Sequence, residues 1–181
     1  LRKERGTNMR LKNVLIVVKD IDRSKRFYQD LFGLRTITDF GGNVILTEGL
    51  VLQDKSTWEQ LIEKETIHGD GDMELYFEEN QMDDFLKKLE AYPEPVRYLN
   101  KPMEHAWGQR VVRIYDPDGH MIEVGEAMDF VARRFCRAGM TLEEIAEKTQ
   151  LPLDQVQGIC QVEIASQRSV HEQSHSHSRQ R

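Results

Sequence analysis

The chain has 181 residues, with 25 Lys and Arg against 31 Asp and Glu, a net charge of −6. That acidic balance argues against a general nucleic-acid binder, which needs basic surface to displace counterions from phosphates. No apolar run approaches the roughly 20 residues that span a bilayer, while 39% hydrophobic and 31% charged residues fit a soluble globular chain with a real core.

Leu1–Asn8 is polar and fits no pattern. Lys3-Glu4-Arg5-Gly6 can be encoded by purine-rich codons of the kind that precede a bacterial start, so Met9 is the expected first residue. The N-terminus lacks the apolar core of a secretory signal. Val14–Val18 is a continuous β-branched run, a buried strand. Asp22 and Ser24 then offer helix caps, Phe27, Tyr28, Leu31 and Phe32 share a helical face, and Gly33 stops that helix. Strands follow at Leu34–Phe40, Asn43–Thr47 and Leu50–Asp54, with Gly41-Gly42 as the turn between the first two. A connector over Lys55–Asp72 holds a short helix whose Trp58, Leu61 and Ile62 are expected to pack down as core.

The order then restarts. Met73–Glu79 reads as a strand, and Met82, Phe85, Leu86 and Leu89 fall at helical spacing. Further strands are expected at Pro95–Asn100, Gln109–Tyr115 and Met121–Gly125, with Asp116-Pro117-Asp118-Gly119 as a tight turn between the last two. This is a β-α-β-β-β unit used twice. Asp20-Ile21-Asp22 matches Gln81-Met82-Asp83, and Gly49 matches Gly119. The second copy is therefore about nine residues longer, expected in Asn100–Gly108. The fold class is α+β, with the two modules paired as a curved mixed sheet around an internal cleft and a C-terminal helical extension.

Val17-Val18-Lys19-Asp20, Ser24, Phe27-Tyr28 and Leu31-Phe32-Gly33-Leu34, followed by Asp116-Pro117-Asp118-Gly119-His120-Met121-Ile122-Glu123, resemble the vicinal-oxygen-chelate superfamily of glyoxalases, extradiol dioxygenases and bleomycin-resistance proteins. The resemblance covers Met9 to Glu126. It implies a homodimer and a cleft with four inward positions from the first and last strand of each module, which in metal-using members carry His and Glu. Here those positions are Asn13, Gln53, Glu74 and Glu123. Without imidazole, zinc, nickel or iron is poorly served. Two carboxylates and two amides leave three readings open. They could weakly hold Mg²⁺ or Mn²⁺ through Glu74 and Glu123. They could bind a polar or cationic ligand without metal, with Glu123 or Glu74 able to act as general base. They could also be polar remnants in an inert cleft.

Trp107 offers a flat face to an aromatic or cationic ligand, and His105 beside it is an acid–base candidate. Trp107 in the core and His105 on a plain loop are the alternatives. Arg113, inside an apolar strand, points to solvent or pairs with Glu74 or Glu123. His120 is expected to be exposed in its turn. Cys136 and Cys160 spell neither a disulfide framework nor a zinc motif, so a reducing cytoplasm is the expected setting.

Asp129–Ala165 reads as helices: an apolar face of Val131, Phe135 and Cys136, a capping box from Thr141 to Glu144, and a third helix from Leu151-Pro152. The pattern resembles a helix–turn–helix, but Pro152–Ala165 has no Lys or Arg, which speaks against DNA. Ser166–Arg181 reads as a disordered tail whose His171, His175 and His177 could hold divalent metal weakly. The expected domains are 1–8, 9–128, 129–165 and 166–181. The function expected is binding of a small polar molecule, without a His-based metal site. The alternative is a Mg²⁺- or Mn²⁺-dependent lyase, isomerase or dioxygenase-like enzyme acting on vicinal oxygens.

Overall fold

The computed structural model describes residues 11–67 and 71–177. The expected extension at 1–8, the proposed start at Met9 and the side chains of His171, His175 and His177 lie outside the described residues. Two compact units emerge. One runs to Met73 and includes Tyr115–His120, and the other holds Glu74–Ile114 and everything from Met121 onward.

In the first unit, β1 (Val14–Val18) leads into α1 (Ile21–Phe32), then β2 (Thr36–Asp39), β3 (Asn43–Leu46) and β4 (Leu50–Asp54). Asp20 caps α1 by accepting from the Arg23 amide, and Gly33 ends it in the left-handed region at φ 69°, where a Cβ is unwelcome. The sheet order is β1-β4-β3-β2, with β1 parallel to β4 and the hairpins antiparallel. Side chains alternate between faces. Ile16, Val18, Val44, Leu46 and Leu52 form one fully buried face. After β4 comes α2 (Lys55–Ile62). Its expected core role fails, because no α2 residue is buried and Leu61 and Ile62 are exposed. Three apolar residues on two turns are too few to make a face of their own.

The second unit repeats the plan with β5 (Glu74–Glu78), α3 (Met82–Glu90), β6 (Arg97–Glu104), β7 (Arg110–Tyr115) and β8 (Met121–Gly125). Its order is β5-β8-β7-β6, with β5 parallel to β8. The architecture is therefore α+β, two four-stranded mixed sheets of identical order. Part of the extra length of the second copy does fall within Asn100–Gly108, as strand. β6 runs on to Glu104 as an exposed edge strand, a position that tolerates Pro102.

α4 (Met128–Arg137), α5 (Leu142–Thr149) and α6 (Leu153–His177) belong to the second unit. Ala132, Ile145, Val156 and Cys160 make their small core. Two expectations change here. Cys136 and Cys160 are joined as a disulfide, Cα to Cα 5.8 Å, because α4 and α6 pack side by side and bring together two cysteines 24 residues apart. The stretch from Ser166 is helix as far as His177, since no Gly or Pro interrupts a run that includes Gln, Glu and Arg, which tolerate helix well. Among the described residues no helix is long and apolar enough to cross a membrane.

Candidate binding site

One face of the second sheet gathers several of the candidate side chains. Partnered strand residues share a face. Tyr76 lies opposite Glu123 and Glu74 opposite Met121, so Glu74, Tyr76 and Glu123 look the same way. Leu75, Phe77, Ile122 and Val124 look the other. Glu123, 9% exposed, is paired with Arg113 from the neighbouring strand, which decides between the two carboxylates that Arg113 could have met. Glu74 stays exposed, two residues or about 7 Å along the ladder from Glu123.

The loop between β6 and β7 supplies the rest. His105 donates its amide to the Gln109 carbonyl at 2.9 Å, and Gly108 donates to the His105 carbonyl at 2.8 Å. The Gly108 φ of 86° completes a tight three-residue hairpin loop. The turn stacks the His105 ring on Trp107, centroids 4.2 Å apart and planes at 19°. Trp107 Nε1 donates to Gln109 Oε1 at 3.0 Å. Gln109 Nε2 donates to Tyr76 Oη at 3.1 Å and to the Glu126 carbonyl at 2.8 Å. Gly125 makes room for this relay, since a Cβ there would lie 2.9 Å from Gln109 Nε2 and 3.3 Å from Tyr76 Oη. Burial of the ring, with the charges of Glu78, Glu123 and Glu74, pushes the Tyr76 phenol up against the opposing pull of Gln109. Tyr76 is therefore a neutral hydroxyl able to donate or accept.

The two candidates in the first unit are not brought together. Gln53 pairs with Val17, four residues along β1 from Asn13, a separation of about 13 Å. Gln53 is 3% exposed and spends its amide on the hairpin, accepting from Asn43 Nδ2 at 2.8 Å and donating to the Gly42 carbonyl at 2.9 Å. Asn13 is exposed just ahead of β1. His120 is not simply exposed. It packs on Asp116, Nδ1 to Oδ2 at 2.8 Å, with its side chain 13% exposed, because the Asp116 carboxylate needs donors to stay buried.

A metal fits this donor set poorly. Among the described residues no three His, Cys, Asp or Glu side chains form a metal-holding group, and Glu123 already has Arg113 as its counter-charge. What the face can do is stack a flat or cationic group on an aromatic ring and hydrogen-bond it through a phenol and two exposed acids. Tyr76 was not among the residues expected at the site. The alternation Glu74-Leu75-Tyr76-Phe77-Glu78 was its signal, since period two places Tyr76 with both glutamates. Gln109 was expected only as the first residue of the strand Gln109–Tyr115, and its place here rests on a contact 33 residues away in the chain.

A family profile described as a glyoxalase-like domain matches residues 11–129. The chain belongs to the glyoxalase-like family. A crystal structure of a protein of unknown function from Agrobacterium tumefaciens is 37% identical with a TM-score of 0.58, over 68% of this chain and 98% of that one. Lactoylglutathione lyase from the same organism is 25% identical with a TM-score of 0.51, over 68% and 96%. A glyoxalase/bleomycin resistance protein/dioxygenase family enzyme from Burkholderia phytofirmans, 17% identical with a TM-score of 0.53 over 64% and 96%, shares the fold. No curated protein matches. The glyoxalase-like match stops at the second residue of α4, so the helical extension lies beyond it.

Proposed function

We propose that this glyoxalase-like protein binds a small polar molecule with a flat or cationic part, in the manner of a bleomycin-resistance protein, and does so without a metal. The observation that carries the reading is the relay His105–Trp107–Gln109–Tyr76 beside a carboxylate neutralised by Arg113. Trp107 supplies the stacking face and is 37% exposed. Tyr76 supplies a hydroxyl, and Glu74 and Glu78, which form no ion pair among the described residues, supply negative charge that favours a cation. The same reading keeps a homodimer in the cytoplasm as the expected working form.

The enzyme alternative needs Glu123 to leave Arg113 and bind Mg²⁺ or Mn²⁺. Calorimetric titration of the full chain with benzyltrimethylammonium, with and without Mn²⁺, separates the two. Binding unaffected by chelator and weakened by about tenfold or more in Trp107→Ala supports the proposal, that being the size of a lost aromatic–cation contact. Binding or turnover that requires Mn²⁺ and disappears in Glu123→Gln overturns it.

A further inference from the structure

The turn that presents Trp107 does not stand on its own hydrogen bonds. α4 touches it directly. The Gly108 carbonyl accepts from Arg134 Nη2. The absent side chain of Gly108 leaves space that Phe135 fills, since a Cβ would fall 2.2 Å from Phe135 Cζ and 3.3 Å from Val131 Cγ1. Arg134 also meets the fully buried Glu126 at 3.1 Å and Glu104 at 3.6 Å. Glu126 is the residue whose carbonyl holds Gln109 Nε2. Lys148 of α5 also meets the Phe135 ring, with Nζ 4.8 Å from the ring centroid. The next residue, Cys136, is bonded to α6. One face of α4 therefore grips both the backbone of the turn and the group that orients Gln109.

We infer that the helical extension serves the binding face, with Arg134 and Phe135 as positioning residues that set the Trp107 turn and its indole hydrogen bond. The inference rests on the reading of that turn as part of the ligand face. It gives a role to the segment that the glyoxalase-like match does not reach. The mechanism is preorganisation: a turn locked by α4 spends no conformational entropy when a ligand settles on Trp107.

The test reads the indole N–H of Trp107 by NMR in the full chain labelled with ¹⁵N-tryptophan. Trp58, in the first unit, gives the second signal and the internal control, and Trp107→Phe assigns the pair. Arg134→Ala and Phe135→Leu should each move the Trp107 signal and speed its solvent exchange about tenfold or more while leaving Trp58 in place. Arg134→Lys, which keeps a cationic donor for the Gly108 carbonyl, should bring the exchange back to within about threefold of the parent. A Trp107 signal unmoved in both disruptive variants overturns the inference. If Arg134→Ala fails to fold and loses both indole signals, Phe135→Leu decides alone, and an unmoved Trp107 signal there has the same force. Benzyltrimethylammonium keeps the two readings apart. Should the parent chain not bind it, the ligand reading fails, while the indole signals still decide whether α4 positions the turn.

Discussion

Asp116 shows how one buried carboxylate can organise a turn. Its Oδ1 accepts the amides of Asp118, Gly119 and His120, and its Oδ2 accepts Tyr28 Oη at 2.9 Å and His120 Nδ1 at 2.8 Å. Burial pulls the His120 pKa down, but the Asp116 bond and charge, with Asp118 behind them, outweigh it and hold His120 above its ordinary value of 6.5. Burial likewise pushes Asp116 up, and the His120 and Tyr28 bonds override it, leaving the carboxyl below its ordinary 3.8. The signs follow from linkage. The His120 contribution is complete below its unfolded pKa and is lost as pH rises through the raised folded value. The Asp116 contribution is complete above its unfolded pKa and is lost as pH falls through the lowered one. Urea unfolding of the parent should therefore show stability falling as pH rises past the ordinary histidine value toward the raised folded one, a fall that His120→Gln removes. An identical slope in the variant would place the titration elsewhere.

Among the elements, what was legible in the sequence was what local physics determines. β4 and β8 match the read boundaries residue for residue, because a β-branched or apolar run between a turn glycine and a polar stop leaves little choice. The capping box at Thr141 and Glu144 is present in both directions. Thr141→Ala should cost about 1 kcal/mol of stability in thermal or urea unfolding, and a loss near zero would mean α5 is held by packing alone. What local pattern could not supply is register. The family resemblance implies four equivalent inward positions, yet the first-module pair sits four ladder steps apart and the second-module pair two. The loop from β5 to α3 is one residue longer than the loop from β1 to α1, and His120 stands between Gly119 and β8 where Gly49 abuts β4 directly. A one-residue slip carries a side chain to the opposite face, so motif counting alone misjudges such a site. Gln109 and Arg134 entered only through contacts distant in sequence.

For the molecule as a whole, the Cys136–Cys160 bond sets the composition-based expectation of a reducing cytoplasm against the fold. Pairing two residues 24 apart restricts the unfolded chain by about 3 kcal/mol in the loop-entropy account, a large share of a typical domain stability of roughly 5–15 kcal/mol. The same helices are tied by Arg137 Nε to Glu163 Oε1 at 2.6 Å and by the core around Ile145 and Val156. Those contacts survive reduction, so the reduced chain should still fold. Dithiothreitol should lower the urea midpoint by the equivalent of about 2–4 kcal/mol. The Cys136→Ser/Cys160→Ser double variant should match the reduced parent and ignore the reductant. Thiol counting on chain isolated under rapid acid quench then tells the compartment apart from the fold. Two free thiols per chain, with a midpoint that reductant does not shift, would mean the bridge is absent in the cell and that packing alone holds α4 to α6. A bridged chain would place the protein where disulfides persist, against the expectation that its two cysteines alone invited.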